Sequence, residues 1–159
     1  MKKRILLLSI ALVSFTAFSF AAVTPTTTNV APATISKNVI SSFNREFSDA
    51  SNIQWEIKAN FVKAQFTVND MVLFAYFNKS GELIAVTRFI SPNQLPLELL
   101  TSLKKANKAY WVSDLFEIRT ESGTAYYATI ENADQIIVLK SEGISGWQTF
   151  QKEKKDNAE

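Results

Sequence analysis

Apolar and polar positions recur along most of this chain with two distinct periods. Val39, Ile40, Phe43 and Phe47 fall at helical spacing, with Asn44, Arg45 and Glu46 between them. That spacing predicts a short amphipathic helix whose apolar face is unusually aromatic. Four strands are predicted next. Ile53, Trp55 and Ile57 alternate with Gln54, Glu56 and Lys58, and Val62, Ala64, Phe66 and Val68 alternate with Lys63, Gln65 and Thr67. Period two is the mark of half-buried strands. Asn69-Asp70 is a compact turn pair, because both residues tolerate positive φ. Met71 to Phe77 is apolar on both faces, as a central strand would be. Asn78-Lys79-Ser80-Gly81 supplies another turn, and Leu83 to Ile90 returns as the fourth strand.

The second helix has two competing starts. Ser91-Pro92-Asn93-Gln94 has the form of a capping box, but a helix begun there would carry Pro96 in its interior, where the ring clashes and the missing N–H breaks the ladder. A start near Leu95 makes Pro96 the first helical residue and sets Glu98 at the positive end of the dipole. Leu99, Leu103, Ala106 and Tyr110 then share a face, and Lys104, Lys105 and Lys108 suit the negative end. Three strands follow, at Val112 to Thr120, Thr124 to Glu131 and Gln135 to Leu139, with Ser122-Gly123 and Asn132-Ala133-Asp134 as turns. The expected order is helix, four strands, helix, three strands. Phe77-Asn78-Lys79-Ser80-Gly81 echoes Leu139-Lys140-Ser141-Glu142-Gly143, which points to a duplicated α/β unit. The turns are too short for parallel crossovers, so the fold class is α+β, a tandem α/β repeat with an antiparallel sheet and both helices on one face.

The ends of the chain carry different patterns. Lys2, Lys3 and Arg4 precede an apolar run from Ile5 to Phe20, and Ser19-Phe20-Ala21 offers small residues where a signal peptidase reads. A signal peptide over 1–22 is expected; the rival is a membrane anchor, since the run approaches spanning length. No cysteine follows the run, which excludes a lipid-anchored form. Residues 23–37, with Pro25, Pro32 and five threonines, read as an extended tether; 38–150 is the folded domain and 151–159 a charged tail. Cleavage removes three basic residues. Lys+Arg drops from 17 to 14 against 15 Asp+Glu, leaving a mature net charge of −1, without the electrostatic footprint of a nucleic-acid binder. The 159-residue chain is 47% hydrophobic and 12% aromatic, a composition for one domain, or two small repeats sharing a core, rather than for disorder. It has no cysteine and no histidine, which rules out thiol nucleophiles, disulfides, Ser-His-Asp triads, zinc fingers and imidazole-held metals. No cofactor and no metal are expected.

Several local motifs resemble one known family. They are Phe43-Asn44-Arg45-Glu46-Phe47, Asn52-Ile53-Gln54-Trp55, Ala75-Tyr76-Phe77-Asn78-Lys79-Ser80-Gly81-Glu82-Leu83, and Thr87-Arg88 followed by Leu95-Pro96. In order and spacing they resemble the PepSY-like, β-lactamase-inhibitor-like secreted proteins of Gram-negative bacteria, over about residues 41–150. The resemblance implies a tandem α/β repeat with a curved antiparallel sheet backed by helices. It carries no catalytic motif onto any residue of this chain, and a shared fold does not transfer a function.

Carboxylates are the acid–base groups left for catalysis, in the close pairs Glu46/Asp49, Asp114/Glu117 and Glu131/Asp134. A glycosidase needs two of them facing across a cleft; solvated surface charge is the plainer account of each pair. Calcium at Asn132 and Asp134 lacks the Asp-x-Asp-x-Asp-Gly loop that would support it. Phe43, Phe47, Trp55, Phe66 and Phe74 are expected in the core. Tyr126 and Tyr127 are adjacent in one strand and point to opposite faces; if Tyr127 faces out, Thr129 joins it. The polar alternates Lys63, Gln65, Thr67, Glu117 and Arg119 indicate an open face. Lys63, Gln65, Tyr76, Arg88, Arg119 and Tyr127 are the candidate partner-binding residues on it, tyrosine and arginine being the types that anchor interfaces. The plainer account is a solvent-washed sheet face with ordinary cross-strand pairs. The expected function is that of a non-enzymatic exported binding protein, periplasmic or secreted, for a protein or peptide, with hydrolase inhibition as one version. The alternatives are a carboxylate-dependent periplasmic hydrolase and an envelope structural protein without a defined ligand.

Overall fold

The structure is a computed structural model and describes residues 34–106 and 108–155. The signal segment expected over 1–22, and all but the last few residues of the expected tether, lie outside the described residues. Ten elements of helix and strand alternate as two equal sets. Helix α1 (Lys37–Glu46) is followed by β1 (Ser51–Ile57), β2 (Val62–Val68), β3 (Met71–Phe77) and β4 (Leu83–Phe89). A short 3-10 turn (Pro92–Gln94) leads into α2 (Leu97–Ala106), then β5 (Trp111–Thr120), β6 (Gly123–Glu131), β7 (Gln135–Glu142) and β8 (Gln148–Lys154). The eight strands form one curved sheet in chain order, every neighbouring pair antiparallel. Three strands were expected after the second helix and there are four. The tail expected from residue 151 is, through Lys154, the edge strand β8, and with it the duplicated unit is complete: one helix and four strands, twice.

Local chemistry sets the helix limits. The Ser36 hydroxyl caps α1 by accepting the Val39 N–H at 3.3 Å, so the expected tether ends earlier than residue 37 and Ile35 is already buried. Both proposed starts of the second helix are used, for different elements. Ser91 and Gln94 close the capping box around the 3-10 turn, where the Gln94 side chain accepts the Ser91 N–H at 2.8 Å. The α-helix then begins after Pro96, whose carbonyl accepts the Leu100 N–H at 3.0 Å. Pro96 has no N–H to lose there, and Glu98 lies in the first turn. Asn69 and Asp70 both take positive φ, at 48° and 62°, as their turn requires.

Both helices lie on one face of the sheet, each over its own apolar cluster. Under α1, Val39 and Phe43 meet Trp55, Ala64, Phe66, Ala75 and Phe77. Phe43 is the hub, with ring centroids 5.3 Å from Phe47, 5.1 Å from Trp55 and 5.0 Å from Phe66, the tilted and edge-on geometries that aromatic pairs favour. Under α2, Leu99 and Leu103 meet Leu115, Ala128, Ile130 and Leu139. The indole N–H of Trp147 donates to the Leu99 carbonyl at 2.9 Å and ties the approach to β8 onto this helix. The two clusters are separate, and the strip of sheet between them, on β4 and β5, is polar.

Candidate binding face

Strand alternation and register assign every side chain to the helix-covered face or to the helix-free one. Ala64, Phe66, Ala75 and Phe77 point to α1, so Lys63, Gln65 and Tyr76, their alternates, point to the helix-free face. Leu115 and Ala128 point to α2, so Phe116 and Tyr127 also face away from the helices, with Thr129 beside Tyr127. Four of the six candidate residues, Lys63, Gln65, Tyr76 and Tyr127, thus share the helix-free face. Arg88 and Arg119 do not. Val86 packs against the α1 cluster, which puts Arg88 on the helix side, and Arg88 pairs in register with Glu117, while Arg119 pairs with Val86. Glu117 moves with them.

The reversal has a physical origin. Helices α1 and α2 cover the outer parts of their face, and the strip between them stays accessible to water, so polar side chains on β4 and β5 fall there. The Arg88 guanidinium holds the Glu117 carboxylate at 2.8 Å and 3.2 Å through two nitrogens, and a third donates to the Met71 sulfur at 3.4 Å. Tyr126 faces Glu117 across the next strand pair. Partial burial pushes its hydroxyl pKa above the usual 10.0, the Glu117 charge adds to that, and Arg88 opposes it.

On the helix-free face the same strands carry aromatic residues. Phe89, Phe116 and Tyr127 stand opposite one another across β4 to β6, followed by Lys140 on β7. Phe116 and Tyr127 stack in parallel planes with centroids 4.9 Å apart. Phe89 meets Phe116 at 6.5 Å and Phe74 at 6.0 Å, both edge-on. A bulge in β8 lets Phe150 reach Tyr127 at 5.5 Å. Phe74, expected in the core, belongs to this row and not to the core. Phe89 is 64% exposed and Phe150 49%, so the row is open to solvent and not the floor of a covered core. Phe74, Phe89, Phe116 and Phe150 were not among the candidate site residues. The available signal was apolar character on both faces of β3 and an aromatic residue alternating with charge in β4 and β5, which periodicity alone assigns to no particular face.

Charges are arranged around the row in a repeated pattern. The Lys63 ammonium sits 4.8 Å from the Phe74 centroid and 3.7 Å from a Glu56 oxygen. Lys140 sits 5.9 Å from the Tyr127 centroid and 2.8 Å from Glu142, and Lys155 sits 5.2 Å from the Trp111 centroid and 2.6 Å from Glu131. Each lysine thus covers a ring and pairs with a glutamate, a combination of cation–π and ionic attraction. The lysine partners hold all three carboxyls below the usual 4.5, Glu56 chiefly through Lys58, Glu142 through Lys140 and Glu131 through Lys155.

The paired carboxylates do not converge. Asp114 projects from the helix-free face and Glu117 from the other. Glu131 is engaged by Lys155, and Asp134 lies in the turn shaped by the Asn132 side chain, which accepts the Asp134 N–H at 2.9 Å. Glu46 pairs with its neighbour Arg45 at 3.1 Å in solvent, and the Asp49 carboxylate accepts the Ser48 hydroxyl at 3.3 Å.

No protein-family model matches the sequence, and no curated protein matches it. Solved structures do. A BLIP-like protein from Bacteroides fragilis superposes with a TM-score of 0.68 at 18% identity, covering 83% of this chain and 95% of that one. A DUF2874 family protein from Bacteroides ovatus gives 0.67 at 15% identity, over 76% of this chain and 88% of its own. A provisionally named periplasmic protein from Bacteroides eggerthii gives 0.66 at 9% identity over the same shares. Identities this low speak to architecture alone. The chain has the BLIP-like fold, an open curved antiparallel sheet with two helices on one face.

Proposed function

We propose that this chain is an exported, non-enzymatic binding protein that holds a protein or peptide partner on the helix-free face of its sheet. The observation that carries the reading is the aromatic row, Phe89, Phe116, Tyr127 and Phe150, which stays open to solvent while its members order one another by ring contacts. Exposing large rings to water is costly unless a partner covers them, and ring-on-ring contact fixes their rotamers in advance, so little side-chain entropy remains to be lost on binding. Aromatic residues at the centre of a patch with charged residues at its rim are the usual anatomy of a protein interface. Hydrolase inhibition is the narrower version, supported by fold analogy with the BLIP-like neighbour and by the PepSY-like, β-lactamase-inhibitor-like motifs. Export to the periplasm is supported by the basic and apolar start of the sequence and by the name of the Bacteroides eggerthii neighbour. Among the described residues no helix is long and apolar enough to cross a membrane.

Affinity capture from periplasmic extract tests this reading. The wild-type chain is compared with Phe89→Ser plus Tyr127→Ala on the helix-free face, and with Arg119→Ala on the opposite face. Loss of a captured protein in the first variant and its retention in the second is the expected outcome. Equal capture by all three proteins would sink the reading.

A further inference from the structure

The charges around the aromatic row are not balanced on its two sides. Lys140 and Lys155 are each spoken for by a glutamate of the same face, and Lys63 shares Glu56 with Lys58. Two carboxylates near the row, Asp114 and Glu153, are not. Asp114 stands opposite Thr129, which stands opposite Val138 and then Gln151; Glu153 stands opposite Ile136. Both belong to the helix-free face of the β5–β8 half, and both are exposed. Their hydrogen bonds are local: Asp114 accepts the N–H of Leu115, and Glu153 accepts the side-chain N–H of Gln151. Among the described residues neither has a lysine or arginine within ion-pair distance. Lys152 and Lys154, which flank Glu153 in sequence, leave β8 toward the helix side, since Lys152 pairs with Ile137 of the α2 cluster, and Arg119, on the strand of Asp114, points to that side too. The rings add a preference of the same sign. Three ammonium groups already rest on ring faces of this surface, where the negative face of the π-system attracts cations.

We propose that the partner is a basic protein loop or peptide, one that presents an arginine or lysine to each of Asp114 and Glu153, on either side of an apolar or aromatic side chain that covers the Phe89–Phe116–Tyr127 row. This rests on the reading that the helix-free face is the binding surface. Arginine suits it better than lysine, because a guanidinium stacks on a ring and meets a carboxylate with two donors at once. The uncompensated carboxylates also repel acidic partners from the same rings, so charge here selects as well as attracts.

The test is a titration of the full mature chain, labelled for amide NMR, with two blocked peptides at low salt. One has a tryptophan between two arginines; the other has glutamates in place of the arginines. The arginine peptide should shift amides around Phe89, Phe116 and Tyr127 and bind about tenfold more tightly than its acidic counterpart. Asp114→Asn with Glu153→Gln should remove most of that preference while the amide spectrum keeps its folded dispersion. Equal or tighter binding of the acidic peptide, an undiminished preference in the double variant, or no shifts at millimolar arginine peptide would overturn the proposal. So would the same shifts on concentrating the protein alone, which would mean that a second copy covers the face. Phe89→Ser separates the two readings: if it abolishes whatever binding is seen, the face remains the binding surface even when the basic partner fails.

Discussion

A Cβ placed on Gly81 would lie 2.8 Å from the carbonyl carbon of Asn38, in the first turn of α1, and the backbone there has φ at +94°. Two independent penalties therefore fall on one position: a left-handed backbone that side chains resist, and backbone contact that cannot yield as a flexible side chain would. Gly123 has φ at +132° with nothing within 4 Å of its virtual Cβ, so it bears the first penalty alone. Gly81→Ala is expected to cost about 2–4 kcal/mol and Gly123→Ala less, by urea unfolding. Equal losses would show that the approach of the β3–β4 turn to α1 is not what constrains Gly81. The turn itself was legible in Asn78-Lys79-Ser80-Gly81. The Asn78 side-chain oxygen gathers the Ser80 N–H at 3.1 Å and the Glu82 N–H at 2.9 Å, the local bonding that makes asparagine a turn former. The clash with Asn38 was not legible, because it joins residues that only packing brings together.

At the scale of elements, the strands with a clean apolar period on the covered face, such as Val62 to Val68, were readable from the sequence, and β8 was not. Gln148 to Lys154 has six polar residues of seven and is exposed throughout, so it offers no alternation to detect. It is a strand because β7 has a free backbone edge whose N–H and C=O groups need partners, and because Trp147 anchors the approach. Lys152 and Lys154 then keep the new outer edge from pairing with other chains. Trp147→Phe keeps the aromatic bulk but leaves the Leu99 carbonyl without its indole donor. It should lower stability by about 1 kcal/mol and raise amide exchange in β8 above that in β7. Unchanged exchange in β8 would mean that the strand holds its place without that anchor.

The molecule as a whole is two α/β units joined along β4 and β5, with separate apolar clusters on either side of the join. The join is bound by the backbone ladder, by Phe89 against Phe116 on the helix-free face, and by Arg88 with Glu117 between the helices. Arg88→Ala leaves a half-buried Glu117 unpaired beside Tyr126 and should cost about 1–2 kcal/mol. Arg88→Met with Glu117→Leu should recover most of that loss in equilibrium unfolding, since well-packed apolar residues replace partly buried ion pairs at little net cost. A double variant no more stable than Arg88→Ala would show that the pair sets the join specifically and not only by filling space.

The period of each strand before β8 and the turn chemistry were determined by the sequence alone, because they depend on neighbours within a few residues. So was the duplicated arrangement, apart from the strand that lacks a period. The helices were legible as amphipathic faces, but Tyr110, expected on the second, lies beyond its end. Which face each alternating set occupies was decided by tertiary structure. Period two separates the residues of a strand into two sets but does not say which set a helix will cover. Over the outer strands the helices cover the apolar set, while at the join they leave a wet strip that Arg88, Glu117 and Arg119 occupy. With Arg88 and Glu117 on the helix side, strand alternation turns Phe89 and Phe116 to the helix-free face, where they line up with Tyr127.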